Sequence, residues 1–302
     1  MIEFSKLSTE QSNANSTHID RMPTGDILRL INEEDAKVAA AVADIIPAIE
    51  QAVEAIHERM LKGGRLIYVG SGSSGRMGVL DAAECPPTFG TDPSEIFAIM
   101  AGGHDAVFVA VEGAEDDHGQ GRLDTEAANL KPEDSVVGIA ASGRTPYVIG
   151  ALEYANEVGA LTISLTSVQD APITRIAKIE LTPQTGPEVV TGSTRMKNGT
   201  AQKFILNMLT TTLMIKRGKV YGNLMVDLKA SNKKLCERAT RTVMTVTGAH
   251  RDEAEVLLEA ADMHVKTAIV MYWHRCTADE AQARIEAADG HLHLLAPEPK
   301  QA

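Results

Sequence analysis

RLIYVGSGSSGR, Arg65 to Arg76, decides how the rest of the chain is read. The run Leu66–Val69 is apolar and β-branched, which predicts a buried strand. Gly70, Ser71, Gly72, Ser73, Ser74 and Gly75 then predict a tight turn into a helix. Glycines let backbone N–H groups approach a ligand and serines add hydroxyl donors, so such a turn can hold an anionic oxygen at a helix N-terminus. SVVGIAASGRTP, Ser135 to Pro146, repeats the pattern. One such turn is ambiguous; two on strands of one domain point to a phosphorylated small molecule.

Working outward, Leu66–Val69, Ile96–Met100, Val136–Ala140 and Leu161–Leu165 alternate with helical patterns, and Ile176–Leu181 is a fifth strand candidate. Strand, loop and helix in alternation predict an α/β domain with a mostly parallel sheet whose ligand site lies at the carboxyl ends of the strands. Upstream, Val38, Val42, Ile45, Ile49, Val53 and Ile56 recur at helical spacing, with Pro47 opening a second helix and Gly63-Gly64 closing it. Ser8 to Ser16 read as a polar arm ordered by packing on something else. Beyond Asp227 the pattern is helical throughout, which predicts a small all-helical C-terminal domain. The expected division is 1–62 for the arm and entry helices, 63–222 for the phosphate-binding domain and 223–302 for the helical domain.

The 302 residues carry a formal net charge of -12, which argues against nucleic acid and anionic membranes as partners and requires an anionic ligand to be captured locally. Cys85, Cys236 and Cys276 show no C-x-x-C spacing, so a reducing, cytoplasmic setting is expected and neither a disulfide framework nor a structural zinc site is indicated. The first residues form no apolar signal core, and no stretch is apolar enough to span a membrane.

The first turn formally matches G-x-G-x-x-G. A dinucleotide site also wants an acidic residue at the end of the second strand, and Met100-Ala101-Gly102-Gly103 has none. Neither turn fits a lipase-type G-x-S-x-G elbow. In the second turn, Ser142, Gly143, Arg144 and Thr145 combine hydroxyls, N–H donors and a guanidinium, which suits phosphate; the bland alternative is a helix cap supplied by Ser142 or Thr145. Glu84 precedes Cys85-Pro86-Pro87, where the helix is expected to stop and a stiff corner to turn the carboxylate toward the pocket. Glu115 lies in a run, Glu112 to His118, that reads either as a solvated N-cap segment or, with Asp116 and His118, as a metal-binding cluster. Glu188, Ser193, Arg195 and Lys197 occupy a glycine-bordered polar loop that is either solvent-facing or part of a pocket wall.

The segments GSGSSGRMGVLDAAECPPTFG, AVEGAEDD, GIAASGRTPY and EVVTGSTRMKNGTAQK closely resemble the signature segments of the bacterial N-acetylmuramic acid 6-phosphate etherases, a family of the sugar isomerase (SIS) fold. The likeness runs from LSTEQSNANSTHIDRM through GNLMVDLKASNKKL into KTAIVM and so covers nearly the whole chain. It implies a five-stranded, flavodoxin/Rossmann-like sheet, a homodimer, and no metal or organic cofactor. It also implies cleavage of the lactyl ether at C3 of a sugar phosphate, giving N-acetylglucosamine 6-phosphate and D-lactate. By this resemblance Glu84 is the acid that helps lactate leave and Glu115 the base of the water step. Ser142, Gly143 and Thr145 match the phosphate loop; Ser71, Gly72, Ser73 and Ser74 fall at sugar or phosphate contacts. Glu188 is a candidate for removing the C2 proton. Two carboxyls suffice for elimination and hydration if burial or a like charge keeps one protonated. An aldose–ketose isomerase, or a sugar-phosphate-binding regulator without chemistry, are the alternatives; neither releases lactate.

Overall fold

A computed structural model of the protein describes residues 9–228 and 233–297. Residues 1–8 and 229–232, which the sequence reading assigns to the arm and to the start of the C-terminal helices, lie outside the described residues. The described chain falls into two compact units, one built from residues up to Ala82 together with Ser94–Thr210, the other from Ala83–Pro93 together with residues from Thr211 onward.

In the first unit, helices α1 (Thr24–Asp35), α2 (Lys37–Ala43) and α3 (Ile46–Met60) lead into the sheet, with Pro47 in the first turn of α3. The strands are β1 (Leu66–Gly70), β2 (Ile96–Met100), β3 (Ser135–Ile139), β4 (Leu161–Leu165) and β5 (Ile179–Leu181). They run parallel in the order β2-β1-β3-β4-β5. Gly70 stands level with Met100 on one side and Ile139 on the other, so the carboxyl ends of the neighbouring strands β2, β1 and β3 open onto one edge. β1, β3 and β4 are buried along their whole length, which is why they read as continuous apolar runs. Ile67, Val69, Val136, Val148, Leu152 and Ile173 form the core of one face, each contributing about 1.5–3 kcal/mol by leaving water.

Helices α4 (Gly72–Phe89), α5 (His118–Ala127), α6 (Pro146–Val158) and α7 (Pro172–Ile176) connect the strands, and α8 (Lys197–Lys216) follows β5. α5 and α6 meet backbone to backbone. A Cβ at Gly121 would lie 2.0 Å from the Tyr147 carbonyl oxygen, and one at Gly150 would lie 2.1 Å from that of His118. This contact draws the chain entering α5 toward the sheet edge.

The expected stop before Pro86 is not found: α4 runs through both prolines and closes when the Gly90 N–H donates to the Pro86 carbonyl at 2.9 Å. Each proline withdraws one ladder bond from the last turns, but Cys85 and Phe89 are buried there, and that burial offsets the loss. There is therefore no corner to turn Glu84 back. Asp81, also on α4, is buried and accepts from Tyr68 Oη on β1 (2.8 Å) and from Asn207 Nδ2 (2.7 Å) and Thr210 Oγ1 (3.1 Å) on α8. Burial pushes its carboxyl up despite these donors.

The second unit holds α9 (Lys233–Thr247), α10 (Arg251–Ala260), α11 (Val265–His274) and α12 (Ala278–Ala287) around Val243, Leu258, Val265, Ile269 and Val270. It is helical as expected, with one correction. An antiparallel hairpin, β6 (Val220–Tyr221) and β7 (Leu224–Met225), turns at Gly222 and precedes the helices. Two-residue strands leave no periodicity for a sequence reading to find.

Candidate active site

The first glycine–serine turn caps β1 and opens α4. Gly72 has φ +52, and the Gly75 N–H closes the first helical bond onto the Ser71 carbonyl at 3.0 Å. Ser71 Oγ donates to Glu115 Oε2 at 3.1 Å, so the acidic run and the turn meet. Glu115 sits on a short 3-10 turn, Ala114–Asp116, introduced by Gly113 at φ +75. The neighbouring Asp117 accepts from the Gln120 N–H at 2.8 Å and caps α5. The run thus divides its labour, Asp117 capping and Glu115 facing a pocket of about 300 Å³ lined by Ser71, Gly72, Arg76, Met100, Glu112 and Glu115 among others. Among the described residues no three His, Cys, Asp or Glu side chains are grouped to hold a metal ion.

Arg76 is a residue the sequence reading passed over. Its Nε donates to the Val107 carbonyl at 2.8 Å and its Nη2 to the Ala106 carbonyl at 2.7 Å, fixing the guanidinium against the pocket. Those partners are about 30 residues away, and nothing local in the sequence marks them.

The second turn lies at the end of β3. Thr145 is the N-cap of α6 and Pro146 its first residue, yet the Thr145 side chain makes no capping bond. Ser142 Oγ accepts only a long 3.4 Å contact from the Arg144 N–H, and Arg144 Nε is buried without a partner. The hydroxyls are therefore not consumed by capping, and the leading N–H groups of α6 keep their positive end. Gly143 has φ +65, and a Cβ there would stand 2.4 Å from Ala171 Cβ and 2.8 Å from Thr166 Oγ1. Gly143→Ala is expected to weaken folding by about 1–3 kcal/mol through this strain and to weaken phosphate binding more than fold-preserving changes elsewhere. Urea denaturation alongside inorganic phosphate titration checks it; an unchanged midpoint would contradict the geometry.

Ser73 is half-buried and Ser74 buried in the first turn of α4. Glu84 is exposed, near the carboxyl-terminal end of α4.

Glu188 requires a correction. It is fully buried, and Oε2 accepts the Lys197 N–H (3.0 Å) and Oε1 the Asn198 N–H (3.0 Å) and Asn198 Nδ2 (2.7 Å) at the start of α8. A carboxylate so saturated by donors is a helix cap, not a surface for substrate. Next to it, Lys197 Nζ bonds Glu34 Oε2 at 2.6 Å in an ion pair buried on both sides. Asn15 Nδ2 and Lys37 Nζ also reach Glu34, and Asn13 Nδ2 donates to the Pro187 carbonyl. The N-terminal arm is ordered by this loop. Burial alone would push the Glu34 carboxyl up, but the bonds from Lys197, Lys37 and Asn15 outweigh it and hold the group at about 2. Ser193 is half-buried and Arg195 exposed, and neither lines the Ser71–Glu115 pocket.

The chain is 57% identical over 266 residues to an N-acetylmuramic acid 6-phosphate etherase of Caldanaerobacter subterraneus subsp. tengcongensis, covering 88% of this chain and 87% of that one. It is 52% identical over 287 residues to the etherase of Pasteurella multocida, covering 95% of both. The chain belongs to the N-acetylmuramic acid 6-phosphate etherase family. A Vibrio parahaemolyticus member, N-acetylmuramic acid 6-phosphate etherase 2, is 54% identical over 89% of this chain and 90% of its own. The model of the glucokinase regulatory protein N-terminal SIS domain matches residues 48–156, and the SIS domain model matches residues 109–212. These matches bracket both turns. Among the described residues no helix is long and apolar enough to cross a membrane.

Proposed function

We propose that the protein is a carbon–oxygen lyase that cleaves the D-lactyl ether of N-acetylmuramic acid 6-phosphate, giving N-acetylglucosamine 6-phosphate and D-lactate in the recycling of cell-wall amino sugars. Beside the family relationship, the observation that carries this reading is the Ser71–Glu115 hydrogen bond, which puts a carboxylate at the sheet edge next to an uncapped phosphate-type turn. Ser142, Gly143, Arg144 and Thr145 hold the 6-phosphate. Ser71, Gly72, Ser73 and Ser74 meet the sugar. In the open-chain form the C1 aldehyde acidifies the C2 proton, and the ether oxygen at C3 is then a β leaving group. Elimination passes the C2 proton to a base as the ether oxygen leaves with a proton from the acid, giving an unsaturated aldehyde; Glu115 then takes a proton from water as its oxygen adds at C3, and C2 is reprotonated.

Glu84 is the acid that protonates the departing lactate oxygen. Glu84 is exposed in the single chain, and we assign it to the site of a second copy in a homodimer. The setting is cytoplasmic, in keeping with Cys85, Cys236 and Cys276 joined by no disulfide.

Turnover of N-acetylmuramate 6-phosphate in deuterated water is expected to release D-lactate and leave deuterium at C2 of the sugar, read by NMR. Lactate without deuterium would overturn the elimination route. No lactate, with an aldose–ketose shift instead, would return the isomerase reading.

A further inference from the structure

One cation lines the Ser71–Glu115 pocket without an acidic partner. Arg76 lies one turn after Gly72, so the two share a face of α4. Its Nε and Nη2 are anchored on the Val107 and Ala106 carbonyls, and it pairs with neither Glu112 nor Glu115, although all three line the same cavity. A guanidinium held by two carbonyl bonds is preorganised, and its Nη1 edge is left to donate. Two carboxylates in one pocket repel an anionic ligand unless a cation stands with them. Yet the substrate of the proposed reaction carries two anions, and the second turn accounts for only the phosphate.

We infer that Arg76 binds the carboxylate of the lactyl group and thereby selects ethers that carry an acid; this rests on the etherase reading of the site. The sheet order supports the placement. β3 ends in the phosphate turn, β1 in the serine turn, and β2 in Met100, which lines the Arg76 pocket. The outer two of these strands lie roughly 10 Å apart, which suits a hexose derivative with its phosphate at C6 and its acid-bearing ether at C3. Arg76 then holds the leaving group on the far side of the serine turn from the phosphate and beside Glu115.

The test treats the ligand carboxylate as one partner of a double-mutant cycle. Wild type, Arg76→Gln and Arg76→Lys are assayed with N-acetylmuramate 6-phosphate and with its lactyl carboxamide, and N-acetylglucosamine 6-phosphate, which has no carboxylate, is titrated as inhibitor. Wild type is expected to prefer the acid by about 10²-fold in kcat/KM, as befits a charge-assisted hydrogen bond. In Arg76→Gln the acid should fall to the level of the amide while inhibition by N-acetylglucosamine 6-phosphate changes less than about threefold, and Arg76→Lys should keep part of the preference. Acid and amide falling together, or inhibition weakening in parallel, would show that Arg76 acts only by holding the Ala106–Val107 segment and would overturn the proposal while leaving the etherase reading intact. An unchanged preference in Arg76→Gln would overturn it equally. Wild type that releases no lactate from the acid takes both down.

Discussion

Glu115→Gln is expected to lower the steady-state rate of N-acetylglucosamine 6-phosphate formation by about 10²–10⁴-fold, the range over which a positioned general base acts, because Glu115 works on the water that adds after lactate has left. Folding should change by no more than about 0.5 kcal/mol, because the side chain is exposed and bonds Ser71 Oγ, which an amide oxygen also accepts. The 3-10 turn that carries Glu115 is held independently by the Asp117 cap and by Gly113, so the backbone position survives the substitution. Loss should fall on kcat and leave KM near its wild-type value, since the base acts on water after the substrate is bound. Glu84→Gln should be similarly slow. If the acid comes from a second copy, mixing the two variants under subunit exchange should restore activity that neither shows alone. A mixture that stays inactive would place both carboxyls in one chain's site, and a Glu115→Gln enzyme retaining more than about a tenth of the rate would remove Glu115 from the chemistry.

Lys197→Met carries the largest expected effect on stability. It strips Glu34 of the one cation as buried as itself and leaves Asn15 and Lys37, whose side chain is more than half exposed, so the cost approaches but stays below the about 3–5 kcal/mol of a buried carboxylate left with no partner. The pH dependence gives a second reading. Glu34 lies at about 2 in the folded protein against an ordinary 4.5, so the unfolded chain binds more protons between those values. Its contribution, on the order of 3 kcal/mol, is present above about pH 4.5 and is lost as pH falls toward 2. Urea denaturation of wild type and variant from pH 7 to 3 should show wild type losing stability faster on the acid side, with the curves converging. Parallel curves would mean that the pair does not hold the carboxyl down.

Strands were legible to within a residue where burial on both faces makes apolarity continuous: Leu66–Val69 became Leu66–Gly70, and Val136–Ala140 became Ser135–Ile139. Ile176–Leu181 shortened to Ile179–Leu181 because Pro172 opens a helix that claims Ile176. The Pro86-Pro87 pair misled because local chain stiffness says nothing about the buried Cys85 and Phe89 that hold the helix on course. The two turns were readable because glycine and serine act locally. Glu188 was not, since its partners are backbone N–H groups nine and ten residues on, and a polar loop reads the same whether its carboxylate faces ligand or helix. Arg76 hid within a motif whose glycines and serines drew attention instead.

The Glu34–Lys197 pair joins residues 163 positions apart. A ribosome adding about 5–20 residues per second needs roughly 8–30 s to travel that distance. Through that interval the nascent chain offers Glu34 only Lys37, whose side chain is more than half exposed, as a counter-charge. The buried pair therefore fixes when, along the chain, the entry helices gain their last partner: only with α8 in hand does Glu34 meet a cation as buried as itself.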